Sequence, residues 1–247
     1  MSHANKRQNG FTIVELMLAM AFVSMLLLAI AMTVIQMSNI YNRGMTFKNV
    51  NQAGSMVANE FQRSITATKP FEIDEAQPDN RYIIQKSSGQ PIGGRLCTGK
   101  YTYIWNYGKA ISDSSLDPNR NVYSGKSDNI HFAKIFDSNY YYCTKLPPPV
   151  NKYPDISSEA VELLNAGQNN LVIHSLEMRS ANEVVDRTTD QRLYSIRFSM
   201  GSNDQTALTS VAGEVACKVP GEPDANPLFC SVIRFDIVVR SGGSDAK

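Results

Sequence analysis

Gly10-Phe11-Thr12-Ile13-Val14-Glu15-Leu16-Met17-Leu18-Ala19 opens an apolar run in which, as far as Met37, Glu15 is the only charged residue. From Leu16 to Ile35 there are twenty residues interrupted only by Ser24 and Thr33. At about 1.5 Å per residue such a run crosses a hydrocarbon core of roughly 30 Å. The spacing predicts a membrane-spanning helix. A carboxylate at the mouth of that helix costs about 2.5 to 3.5 kcal/mol at bilayer depth, so Glu15 asks for a partner. Cleavage between Gly10 and Phe11 would create one, an α-amino cation four residues before Glu15. Within one helix the two groups meet only loosely. A neighbouring copy shifted by one turn could bring its own Phe11 amine onto this Glu15 and so fix the axial register of a filament.

Residues 1–10 form a short leader whose His3, Lys6 and Arg7 precede any acid, which favours an N-terminus inside, although Arg43 and Lys48 beyond the span weaken the asymmetry. A secretory signal peptide shares the basic start, and Ala29-Ile30-Ala31 imitates its cleavage site. Glu15 and the length of the run argue against it. An uncleaved signal anchor is the better rival, but it too leaves Glu15 unexplained unless the carboxylate snorkels to the headgroups or is protonated.

Together the basic leader, Gly10, Phe11, Glu15 and the apolar run resemble the prepilin signature of type IV pilins and of their secretion-system relatives, the pseudopilins. The resemblance covers Lys6 to about Ile65. It implies cleavage after Gly10 by a membrane peptidase that also methylates the Phe11 amine, which stays cationic. It implies storage as a single-pass protein of the cytoplasmic membrane with the head outside, then extraction by an ATP-driven platform into a surface fibre with other pilin subunits. Many pilins carry a proline in the membrane half of this helix; Met32 stands at the matching place here, so local melting there is not carried over. A head larger than that of a typical major pilin favours a minor subunit serving adhesion, twitching motility or DNA uptake. The alternatives are a type II secretion pseudopilin and, in another class, a membrane-anchored protein whose head binds a glycan or nucleic acid without polymerising.

Past Met37 the pattern becomes amphipathic. Phe47, Val50, Gly54, Val57, Phe61 and Ile65 recur at steps of three and four, and no proline occurs from Phe11 until Pro70. One helix is expected from about Phe11 to Thr68, about 87 Å long if unbroken, with 11–37 as the membrane half and 38–68 as an amphipathic half. Gly44 and Gly54 mark a kink, a melted patch or close packing. The five methionines Met17, Met20, Met25, Met32 and Met37 suit irregular helix packing.

Residues 69–247 remain for a globular head. Alternation over Val232–Arg240 and Tyr194–Met200 predicts half-buried strands, with Leu171–Met178, Ile130–Phe136 and, more weakly, Glu214–Val219 as others. The expected fold class is α+β: the long helix against an antiparallel sheet of four or more strands, a pilin-like layout. Pro154–Gly167 reads as a short helix with Asp155 or Ser157 as its cap and Val161 and Leu164 inward. Pro147-Pro148-Pro149 reads as a stiff connector and Gly242–Lys247 as a frayed tail. The four cysteines Cys97, Cys143, Cys217 and Cys230 all follow the span, where disulfides persist. Three connectivities are possible; Cys97–Cys143 with Cys217–Cys230 is preferred, the second closing a proline-rich loop.

The net charge of +1 falls to −1 once Lys6 and Arg7 leave, so no general field for nucleic acid results. Tyr101, Tyr103, Trp105 and Tyr107 share one strand face, and they read as packing inward rather than as a strip for sugars or bases, with Lys100, Lys109 and Lys145 nearby in sequence. Asp117, Asn119, Asn121 and Asp128 fall at positions one, three, five and twelve of a calcium-loop spacing. Val122 occupies the place that needs glycine, so a solvated turn is preferred and no metal is expected. His131 and His174 stand alone, with no nucleophile motif, phosphate loop or zinc spacing. The expectation is a protein that is not an enzyme and carries no cofactor.

Overall fold

A single helix, α1 (Ile13–Thr66), carries the chain through both of the stretches just described and passes Gly44 and Gly54 without interruption. The computed structural model describes residues 11–73, 81–87, 89–112, 130–140, 142, 160–164, 170–181 and 189–243. At 54 residues α1 is about 81 Å long. Its C-terminal end is closed by Ala67, whose N–H reaches the Arg63 carbonyl, and by Thr68, which bonds the Ile65 carbonyl. Pro70, four residues after Thr66, has no N–H to continue the ladder.

The strands that follow are β1 (Tyr82–Ser87), β2 (Gln90–Cys97), β3 (Tyr101–Asn106), β4 (Phe132–Phe136), β5 (Ala160–Glu162), β6 (Leu171–Ser180), β7 (Leu193–Ser202), β8 (Leu208–Val211), β9 (Glu214–Cys217) and β10 (Val232–Arg240), with a one-turn helix α2 (Gly108–Ser112) after β3. They form two antiparallel sheets, β1-β2-β3-β4-β5 and β10-β7-β6, and a hairpin β8-β9. A lone parallel bridge between Tyr107 and Ile173 links the two sheets. The α+β layout therefore matches expectation, but the single sheet of four or more strands is corrected to two. The helix lies along β10 and β7, and near its C-terminal end its side chains also meet the five-stranded sheet.

Phe61 shows why. It is fully buried and sits edge-on to Tyr103 and Phe132 of one sheet and Phe198 of the other. Aromatic edge-to-face contacts add roughly 0.5–1.5 kcal/mol each beyond area burial. Val50, Val57 and Ile65 complete the stripe in the same core. Phe47, placed in the stripe by spacing, is 56% exposed, so the buried register begins at Val50. Gly54 is the close approach: a Cβ there would lie 2.1 Å from the Phe235 ring of β10.

β3 buries both faces. Tyr103, Trp105 and Tyr107 point into the main core, while Ile104 joins Ile130, Ala133, Ile135 and Tyr142 in a second cluster behind the sheet. Thr102 and Asn106 are buried as well, bonded to Asp137 at 2.8 Å and to the Ile130 carbonyl at 2.7 Å. The helix expected over Pro154–Gly167 is replaced, where described, by β5, which pairs with β4. Val161, read as inward, is 62% exposed, whereas Leu164 is buried as expected. Three residues paired to a neighbour gain ladder hydrogen bonds that an isolated helical turn would lack. Gly242, read as part of a frayed tail, donates to the Thr68 carbonyl at 2.9 Å, and Ser241 N–H donates to the Arg192 carbonyl. Gly242 is thus tied to the top of α1, and residues 244–247 lie outside the described residues.

Candidate functional site

At the start of α1 the polar atoms satisfy one another. Thr12 is the N-cap: its hydroxyl oxygen accepts from the Glu15 N–H at 3.3 Å, and the Glu15 carboxylate accepts from the Thr12 N–H at 2.9 Å and from the Thr12 hydroxyl at 3.0 Å. This is a capping box, which closes two orphan donors reciprocally. The signal was present as Thr12-x-x-Glu15, yet reading Glu15 only as an unpaired charge passes over it. Phe11 is 86% exposed beside this cap, and Gly10 lies outside the described residues.

Beyond the cap the helix presents apolar side chains on every side. Leu16, Met17, Leu18, Met20, Phe22 and Val23 are all exposed, as are those that follow through Met37. The two hydroxyls within the run fold back on the helix, Ser24 onto the Met20 carbonyl and Thr33 onto the Ile30 carbonyl, both at 2.7 Å. Neither hydroxyl is left bare to an apolar surrounding. The segment is long and apolar enough to cross a membrane, and none of it is buried within the chain.

On the head, Cys217 and Cys230 are disulfide-bonded to each other. Cys97 is also disulfide-bonded and is buried; Cys143, its expected partner, lies outside the described residues. The Cys217–Cys230 loop touches the helix, with the Thr46 hydroxyl donating to the Leu228 carbonyl at 3.0 Å. The calcium candidates Asp117, Asn119, Asn121 and Asp128, the Pro147–Pro149 connector, and the proposed caps Asp155 and Ser157 all lie outside the described residues. Among the described residues no three His, Cys, Asp or Glu side chains converge on a point that could hold a metal ion.

Sequence reading missed a polar cluster near the top of α1. Glu60 accepts from Lys134 and from the Tyr103 hydroxyl, the latter at 2.9 Å. Burial pushes the Glu60 carboxyl up, but those two hydrogen bonds and the nearby Arg63 charge outweigh it and hold the group below the usual range. Lys134 also stands 3.9 Å over the centre of the Tyr101 ring. Elsewhere His131 Nδ1 meets the Leu171 carbonyl at 2.7 Å, and His174 sits at the β6 bulge, where burial pulls its pKa down to about 4.

No family model, curated protein or solved structure matches this chain.

Proposed function

We propose that the chain is a structural subunit of a type IV pilus or closely related filament, in the role of a minor pilin. What carries the reading is the join of two surfaces on one helix: an apolar first half exposed on all sides, opened by a carboxylate, and a second half fixed to a folded head. Before assembly the lipid bilayer would cover the first half, with the chain a single-pass protein of the cytoplasmic membrane and its head outside. In the fibre, the helices of neighbouring subunits would replace lipid. Cleavage after Gly10 by a prepilin peptidase, with methylation of Phe11, would supply the cation that Glu15 meets on a neighbour. Glu15 would then exchange its Thr12 cap contacts for an intersubunit pair that sets the register. Adhesion, motility and DNA uptake are the activities such fibres serve.

N-terminal mass spectrometry of the membrane-extracted chain tests the reading. Methylated Phe11 is expected, and an intact Met1 on chain recovered from assembled fibres would sink it. Trace amounts in long sheared fibres would mark a minor subunit, and the absence of long fibres would point to a secretion pseudopilus.

A further inference from the structure

A cleft of about 580 Å³ opens between the last turns of α1 and the turn from β2 to β3. Its charged lining is Arg63, Lys100 and Lys134 against Glu60, three cations to one carboxylate. Lys134 is already paired with Glu60, whereas Arg63 and Lys100 enter no ion pair among the described residues. Both of these side chains belong to exposed residues. Tyr101, the one member of the strand's aromatic row that is only half-buried, forms part of the wall, and its ring is held in place edge-on by Phe136 and under Lys134.

The acceptors matter as much as the cations. Thr66 and Ala67 line the cleft, and their carbonyls accept no main-chain hydrogen bond from the residues that follow, since Pro70 lacks an N–H and the N–H of Phe71 goes to the Tyr194 hydroxyl. These carbonyls, the negative end of the α1 dipole and the Glu60 carboxylate set acceptors beside the cations. Such a mixture disfavours a dense phosphate array. It suits a ring bearing one carboxylate and several hydroxyls, in which the carboxylate meets the cations and the hydroxyls donate to the acceptors.

We propose that this cleft binds a hexuronate unit of an acidic polysaccharide, its carboxylate held by Lys100 and Arg63 and its hydroxyls by Glu60 and the Thr66 and Ala67 carbonyls. The proposal does not depend on the chain forming a filament, because the cleft is complete within one subunit.

Calorimetric titration of the full chain in detergent micelles with tetragalacturonate, tetraglucuronate and tetramannuronate provides the test. At least one should bind saturably at one site per chain, weaken as salt rises, and lose affinity when its carboxylates are methyl-esterified. Lys100→Glu should reduce that affinity by about tenfold or more. Lys86→Glu, on β1 and away from the cleft, should leave it unchanged. Arg63→Gln gives a second reading of the charge should Lys100→Glu disturb the head. The proposal is overturned by absence of saturable binding to all three, by equal binding of the methyl ester, or by indifference to both cleft variants. Tighter binding of oligothymidylate with the same dependence on Lys100 would overturn it in favour of nucleic acid.

Discussion

The two halves of α1 obey opposite rules with the same backbone. From Ile13 to Met37 nothing is buried, and the side chains are apolar all round. From Val50 to Ile65 one stripe is buried completely, while Asn51, Asn59 and Arg63 face water. A helix apolar on all sides needs a surrounding solvent that is itself apolar, whereas an amphipathic one needs a single wall. The first half is therefore unfinished without something outside the chain, and the second is finished by the head.

If that division is real, the halves should fail separately. Glu15→Ala gives the largest contrast: incorporation into fibres should fall to background, while the thermal unfolding of the head, followed by near-ultraviolet circular dichroism in micelles, stays where it was. Unchanged incorporation would remove the register role assigned to Glu15. Phe61→Ala should do the reverse, costing the head about 3–5 kcal/mol by denaturant titration through loss of a buried ring, with membrane extraction unaltered.

Acid should also weaken the head. His174 titrates near 4 when folded, below its ordinary value, so between about pH 6.5 and 4 the unfolded chain binds the extra proton. Stability from this group is complete above the unfolded value and falls as pH drops, by about 2–3 kcal/mol at the bottom of the window. His174→Gln should flatten that part of the stability profile; an unchanged slope would show that the ring is not protected from protons.

The smallest effects come from the two helix glycines. Gly54→Ala should cost about 1–3 kcal/mol, because its Cβ meets the Phe235 ring, itself stacked on Phe198. Gly44→Ala, with nothing within 4 Å of the added carbon, should gain up to about 1 kcal/mol. Equal effects at the two positions would show that the head does not press on the helix at Gly54.

The stripe on α1 and the alternation of β7 and β10 were legible because helix and strand periods show in neighbouring residues. Tyr194, Ile196, Phe198 and Met200 needed no knowledge of what they touch. β2 was illegible for the opposite reason. Pro91, Gly93 and Gly94 break a strand pattern, but Gly93 and Gly94 are there because a Cβ would strike the Trp105 carbonyl at 2.3 Å and the Trp105 ring at 2.5 Å. β5 imitated a helix because Val161 and Leu164 are three apart, while its pairing with β4 is set by residues some thirty positions earlier. The candidate cleft escaped notice likewise: Tyr103 is 43 and Lys134 is 74 positions from Glu60. Glu15 stands out in the sequence by its charge, whereas Thr12, its cap partner, is one hydroxyl residue among many until the contacts place it.

The contact between Thr46 and Leu228 has a mechanical consequence. Thr46 lies four residues below the first buried stripe position, on the side of the apolar half, and its partner belongs to a loop closed covalently by Cys217 and Cys230. The head thus grips the rod over about 29 Å, from Thr46 to Ile65. A tug along the rod from below meets the clasped loop first, and that clasp shares the strain with the β10 strand it leads into before the aromatic packing around Phe61 feels any of it.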